Sequence, residues 1–491
     1  MMRLNYILSA LSSIFIGFGL MVFLPVFVAL YYADYSSVIP FVSAGGISVL
    51  LGLFLKSVFK KKDNYNDLRK KEGLFIVALT WISISLIATI PYFFYGISPI
   101  NAVFEGVSGI TTTGATILTD FSLYPKAFFF WRSLSQWLGG MGIIVLFIAI
   151  LPQFAVAGRQ MFSAEAPGPT EDKITPRIRN TAAALWGIYV ALTVIEVLVL
   201  YLNGMPLFDS VCNSLSTISA GGFSPHPQSL AGYGGNHLFI WVVTGFMFLA
   251  GVNFSLQYRV FIQRQFKALT ASPEFLTYTI IFIVISLLIT GSLVLFNDYD
   301  VVEAIKDASF QVISIMTSTG FAAVDFDKWS HIAKTFLFIL MIVGGSAGSA
   351  AGGLKVVRVI IVLKYIWREI ATILHPKSVI QIKLGKTIVS DEVFKQIIAF
   401  VIFYFILLVL STMAVYIAEG NLNLAVVGSA ATLGNVGPGF EQIGPMGSYA
   451  GLTPFTKIIF IINMVVGRLE LIPFIAMLHS DFWKFSVKKE Q

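Results

Sequence analysis

Three stretches of this sequence share one pattern of residue types, and those types suit coordination of a dehydrated cation by backbone oxygens. They are Asn101–Ala115, Asp209–Phe223 and Asp307–Phe321. Each opens on Asn or Asp followed by a small residue. Ser stands seven positions on (Ser108, Ser216, Ser314), Thr or Ser three further, and Gly three beyond that (Gly114, Gly222, Gly320). A more degenerate copy runs Leu424–Pro438 and contains Gly437, so successive glycines are 108, 98 and 117 residues apart. Four copies at about one hundred residues predict a pseudo-four-fold arrangement built by one subunit.

The chemistry follows from the residue types. A cation stripped of water must regain its hydration energy from several oxygens at close range, and backbone carbonyls supply them without a buried fixed charge. Turning successive carbonyls toward one axis demands backbone angles that Gly adopts freely. The triplets Thr112-Thr113-Gly114, Ala220-Gly221-Gly222, Ser318-Thr319-Gly320 and Asn435-Val436-Gly437 are therefore the expected four walls of one filter, with K+ at the filter as the only metal. The competing reading is close helix packing through small residues. One motif alone fits either reading, but an aligned series favours the filter.

Two further features break the symmetry. The sequence Gly344-Gly345-Ser346-Ala347-Gly348-Ser349-Ala350-Ala351-Gly352-Gly353 interrupts an apolar segment and is poor helix. It is expected to be a mobile loop beneath the filter, able to block the path, or else a close-packed helix interface. Arg468 sits inside an apolar stretch of about 455–480, with Glu470 two residues on. A buried Arg faces a protein interior; here it is either a tether to broken-helix carbonyls or a positive charge beside the path, and the roles are compatible. Glu196 reads as a satisfied interhelical contact. Glu105 reads as structural, because the matched Asn213 and Gln311 are neutral.

The elements that must position these residues are membrane spans. The 491 residues are 56% hydrophobic and 12% charged, with a mean hydropathy of +0.82, unlike a soluble domain. A single Cys (Cys212) and five scattered His exclude an intrachain disulfide and a His/Cys metal cluster. The net charge of +7 implies no nucleic acid, because the basic residues collect in particular loops: Lys60–Lys62 with Arg69–Lys71, Arg159–Arg179, Arg259–Lys267, Lys355–Lys386, and Lys484, Lys488 and Lys489. Alternate loops carry Asp and Glu, so the basic set is predicted to be cytoplasmic, with both termini on that side and the pore loops outside. The apolar run of roughly 5–30 after Arg3 is too long for a signal-peptide core and is read as a retained span.

The predicted fold is an all-α integral membrane protein of ten transmembrane helices. Two N-terminal spans (1–71) precede four span–pore-helix–filter–span repeats at 72–158, 159–270, 271–389 and 390–491. First spans are expected to begin near Gly73, Pro176, Pro273 and Asp391, and second spans near Lys126, His237, Ile332 and Pro454. Thr175, Ser272, Ser390 and Thr453, each before a Pro or an acid, are predicted N-caps.

The four repeats, the Gly in each triplet, the Gly-rich break and Arg468 together resemble the TrkH/KtrB/HKT superfamily of potassium transporters. The two extra N-terminal spans and the stretches TTTGAT and NVGPG resemble its TrkH family most, across essentially the whole chain. The resemblance implies a bacterial inner-membrane K+ uptake protein, a gated pore selecting K+ and Rb+, working as a homodimer. It also implies a cytosolic TrkA-type ring of RCK domains on the basic face, carrying the nucleotide (ATP/ADP or NAD) that this chain lacks. By position, Gly344–Gly353 is the gate loop and Arg468 the pore-facing arginine; Gly434 stands where Asn is expected. Alternatives are a K+/Na+ or K+/H+ symporter on the same fold, or a secondary carrier for a larger solute. Same-sense repeats with pore loops favour the pore. An enzyme is not expected, as neither HExxH nor paired His or Cys occurs.

Overall fold

The computed structural model describes residues 3–59, 70–149, 174–233, 236–378, 380–385, 387–469, 474, 477 and 479–483. Lys60–Lys62, Arg69, Arg159–Lys173, Glu470, Lys484, Lys488 and Lys489 lie outside them.

The first helices form a pair. α1 (Leu4–Val22) continues past Phe23 into α2 (Leu24–Tyr31), with Pro25 in the new first turn. α3 (Val38–Val58) packs along α1 through small residues. A Cβ on Gly19 would come within 2.9 Å of the Gly45 carbonyl oxygen, and one on Gly52 within 2.8 Å of that of Ser12. Ser48 adds a bond to the Phe15 carbonyl at 2.8 Å.

One pattern of long helix, short helix, extended segment and second helix then occurs four times. The first set is α4 (Lys70–Phe94), α5 (Pro99–Ile110) and α6 (Lys126–Ala149). The second is α7 (Ile174–Leu202), α8 (Leu207–Ile218), and the bent pair α9 (His237–Ala250) and α10 (Phe254–Phe261). After the short α11 (Lys267–Ala271), the third is α12 (Pro273–Phe296), α13 (Val301–Met316) and α14 (His331–Ile342), followed by α15 (Val356–Leu374). A small hairpin, β1 (Lys383–Leu384) with β2 (Thr387–Ile388), leads to α16 (Asp391–Glu419), α17 (Leu422–Leu433) and α18 (Pro454–Arg468).

Capping explains several starts. Ser272, Ser390 and Thr453 accept from the backbone N–H of Phe275, Val393 and Thr456, as their sequence contexts predict. α7 differs: it begins at Ile174, so Thr175 lies within the helix rather than before it.

Among the described residues, six helices are long and apolar enough to cross a membrane, and the α9–α10 pair makes a seventh. Their outward faces are exposed and apolar, as lipid requires. The second span of the third set is cut short by the Gly-rich segment after Ile342, and α18 in the fourth ends at Arg468. The α9–α10 bend, 105°, interrupts a helix expected to be continuous. Gly251 ends α9, and Asn253 Oδ1 accepts from Ser255 and Leu256 N–H to start a new helix.

The short helices form the centre. Phe310, Val312, Ile313, Ile315 and Met316 of α13 are all fully buried. Each short helix packs on the long helix before it and on the second helix of its own set. The second helix of each set also packs on the next short helix: α6 on α8, α9 on α13, α14 on α17, and α18 on α5. The four sets therefore close a ring.

Candidate functional site

Each short helix delivers its chain to one triplet by the same turn. The N–H of the middle residue bonds back to the carbonyl five residues earlier: Thr113 to Ser108 at 2.9 Å, and Gly221 to Ser216, Thr319 to Ser314 and Val436 to Ala431 at 2.8 Å. The repeated Ser thus contributes its backbone, and Ala431 serves equally in the degenerate copy. The Ser108 and Ser216 hydroxyls have no hydrogen-bond partner among the described residues, while Ser314 Oγ donates to the Phe321 carbonyl at 2.7 Å.

The triplets share an unusual backbone. Gly114, Gly222, Gly320 and Gly437 have φ of +79°, +78°, +78° and +92°. The first residue of each triplet is also left-handed, although none is Gly: Thr112, Ala220, Ser318 and Asn435 have φ of +53°, +55°, +57° and +55°. Four left-handed non-glycine residues at matched positions each cost on the order of 1–2 kcal/mol. The sequence does not signal them, because Thr, Ala and Ser carry no preference for that region.

The glycines close a second ring inside the first. A Cβ on Gly114 would overlap the carbonyl oxygen of Gly221, one on Gly222 that of Thr319, one on Gly320 that of Val436, and one on Gly437 that of Thr113. Every triplet Gly therefore presses on the middle carbonyl of the next triplet, and the fourth returns to the first. All four line one cavity of about 240 Å³, together with Arg132 and His226. Two of the twelve triplet carbonyls also receive side-chain donors: Gln136 Nε2 bonds Gly221 O at 2.5 Å and Tyr449 OH bonds Gly437 O at 2.6 Å. Each keeps a second lone pair.

Side chains missed in the sequence hold this frame. Gln136 of α6 also accepts from Phe223 N–H at 3.0 Å, spanning the second triplet. Asn435 Nδ2 bonds Thr113 Oγ1 and the Met464 carbonyl, both at 2.9 Å, so Gly434 leaves the fourth turn intact. Arg132 Nε meets Glu105 Oε1 at 2.7 Å, both buried, and its guanidinium lies 3.9 Å over the Phe223 ring. Glu105 thus has a structural partner. Asp120, on the loop after the first triplet, has its carboxyl lowered by hydrogen bonds from the Ser122 side chain and backbone. Glu196 departs from expectation: it is fully buried, and neither carboxyl oxygen has a hydrogen-bond partner among the described residues.

Gly344–Gly353 is a buried loop pinned at its base. Gly344 N–H bonds the Leu354 carbonyl at 2.8 Å, and Leu354 N–H bonds that of Ile342 at 2.9 Å. Gly348 and Gly353 are left-handed, with φ of +70° and +66°. Around Gly345, Ser346 and Ala350 the loop docks on the α9–α10 bend: Ser346 N–H bonds the Gly251 carbonyl at 3.0 Å and Phe254 N–H bonds that of Gly348 at 3.1 Å. Its other side touches the triplets, where Gly352 N–H bonds Ser318 Oγ at 2.6 Å and a Gly352 Cβ would overlap the Gly434 carbonyl. Ala347 N–H bonds Glu274 at 2.7 Å, and Lys355 Nζ bonds the Ala351 carbonyl. Arg468, buried, donates from Nη1 to the Ala350 carbonyl at 2.9 Å. The structure brings the four triplets, the loop and Arg468 into one assembly.

Comparison with known proteins bears on this assembly. The TrkH family model, described as a cation transport protein, matches residues 40–483. The chain is 36% identical to the Trk system potassium uptake protein TrkH of Halomonas elongata over 490 residues, 98% of this chain and 100% of that one. It is 33% identical to the Trk system potassium uptake protein TrkG of Escherichia coli over 469 residues, 94% of each chain. The crystal structure of the potassium transporter TrkH from Vibrio parahaemolyticus superposes with a TM-score of 0.90 at 30% identity, covering 98% of this chain and 100% of that one. These relatives are transporters and not enzymes, and the chain belongs to the TrkH family of cation transport proteins.

Proposed function

We propose that this chain is a K+ uptake protein, with a gated pore that selects K+ and Rb+ through the backbone carbonyls of the four triplets. The observation that carries the reading is the closed ring in which each triplet Gly presses on the middle carbonyl of the next. A ring of close-packed backbone presents oxygens to an axis without fixed charge. The names of the relatives supply the ion, potassium.

The finer features belong to the same reading. Gly344–Gly353 is the gate, lying against Ser318 and Gly434 and opening when it leaves them. Arg468 holds it shut and raises the barrier to cations. Ten spans, two ahead of the four repeats bounded at 72–158, 159–270, 271–389 and 390–491, cross a bacterial inner membrane with both termini cytoplasmic and the triplets open to the outside. The working unit is a homodimer. A cytosolic nucleotide-binding ring of the TrkA type docks on the basic face and moves the loop.

Radioactive rubidium influx into proteoliposomes of the purified chain tests this. Competition by K+ and Rb+ but not by Na+ or Li+ is expected. Equal competition by all four ions would overturn the selectivity. Imposed proton or sodium gradients separate passive conduction, for which no change in the equilibrium distribution is expected, from symport.

A further inference from the structure

Along α7, Tyr189, Leu192, Thr193, Glu196 and Leu200 recur at helical spacing and are all buried, so they form its inward stripe. The polar groups before Glu196 are satisfied. Tyr189 OH donates to the Trp137 carbonyl at 2.9 Å, and Thr193 Oγ1 donates to that of Tyr189 at 2.8 Å while accepting from Trp137 Nε1 at 3.1 Å. Glu196 is the exception, with two buried oxygens lacking a hydrogen bond. The hydroxyl that faces it is Thr217 of α8. Thr217 Oγ1 donates to the Asn213 carbonyl at 2.8 Å. With that hydroxyl donating to Asn213, both Glu196 oxygens are left without a hydrogen bond among the described residues.

Among the described residues, no cation makes an ion pair with Glu196. The helices packed on α7 are α6, α8, α9 and α10. On α6, Arg132 is paired with Glu105, and Lys126 lies 4.1 Å over the Tyr32 ring. On α8 the titratable groups are Asp209 and the Cys212 thiol, neither positive. On α9, His237 faces Glu303 at 3.4 Å. On α10, Arg259 Nε bonds Gln265 at 3.3 Å, and Tyr258 is the remaining titratable group. None makes an ion pair with Glu196. An isolated charge at such a site is strongly unfavourable.

We infer that Glu196 is a proton-binding site: it holds one exchangeable proton as the neutral acid, and that proton keeps α8 seated against α7. Release of the proton to water leaves a carboxylate that the packed site cannot accommodate, so the two helices must part to admit water or a cation. α8 ends at Ile218 and the second triplet starts at Ala220, so this displacement reaches the triplet directly. The effect on flux rests on the pore reading above, whereas the protonation itself does not.

Infrared difference spectroscopy of wild type against Glu196→Gln in lipid vesicles at neutral pH reads the proton directly. Loss of one protonated-acid carbonyl band, with the carboxylate bands unchanged, is expected. Loss of carboxylate intensity instead overturns the site. If the Gln variant does not insert, Glu196→Asp replaces it, and an acid band that fails to shift overturns the site in the same way. Rubidium influx across pH then tests the coupling. Wild type is expected to lose flux in alkaline solution, and Glu196→Gln to lose that decline. An unchanged decline in the variant overturns the coupling to the pore but leaves the infrared result standing.

Discussion

Arg468 Nη1 donates to the carbonyl oxygen of Ala350 at 2.9 Å, joining the end of α18 to the Gly-rich loop across 118 residues of sequence. A hydrogen bond to a charged donor contributes about 2 kcal/mol, roughly thirtyfold in the population of the bonded loop. Arg468→Ala is therefore expected to raise rubidium influx at matched membrane protein levels and to weaken its dependence on a regulatory partner. Arg468→Lys should fall between, because a point charge lacks the planar fork. Wild-type influx from a well-inserted Ala variant would leave Arg468 a structural tether only.

The loop itself gives a second prediction. Shortening Gly344–Gly353 removes the bond from Gly352 N–H to Ser318 Oγ and the approach to Gly434. Influx without any cytosolic partner should rise. A correctly inserted deletion with flat or lower influx would assign the segment to packing.

The triplet glycines are open to direct test. Gly114→Ser places a Cβ on the Gly221 carbonyl at a left-handed φ of +79°, costing on the order of 1–2 kcal/mol in backbone strain alone. Discrimination of K+ over Na+ should weaken, read as the ratio of influxes. Gly187→Ala, whose Cβ meets nothing within 4 Å, should leave that ratio unchanged.

Gln136 supports the second triplet from outside, with one bond to Gly221 O and one from Phe223 N–H. Gln136→Leu strands both groups, at about 1–3 kcal/mol each, and should lower the thermal midpoint in detergent. Gln136→Glu keeps the acceptor but sets a carboxylate against a carbonyl. It should disturb cation competition more than Leu does, and equal effects would argue against a specific clamp.

The buried pair of Glu105 and Arg132 should behave as a unit. Arg132→Met alone leaves a desolvated carboxylate and is expected to cost about 3–5 kcal/mol. Combining it with Glu105→Leu should restore much of that loss in thermal unfolding, and strictly additive losses would show the pair to be uncoupled.

Long apolar helices, the four short helices and the glycines that turn left-handed after them were legible in the sequence, because such helices need long apolar runs and because the Gly recurs at matched positions. Ser272, Ser390 and Thr453 were legible as caps for the same local reason, since a cap is set by a few neighbouring residues. Left-handed Thr112, Ala220, Ser318 and Asn435 were not, because their strain is held by bonds to distant groups such as that from Asn435 to Thr113. Gln136 reads as one polar residue in an apolar helix until the fold sets it beside Gly221, 85 positions away. The α9–α10 bend was hidden because a single Gly251 breaks a helix only where another element takes its carbonyl, here Ser346 N–H. Glu196 reads as satisfied, since the sequence cannot show that both its buried oxygens end without a hydrogen-bond partner among the described residues. Local pattern thus determined which segments are long apolar helices and where the backbone turns left-handed at Gly. Which groups meet across those segments was decided only by the closure of four sets of helices into one ring, because non-local partners are fixed by packing and leave no periodic trace in the chain.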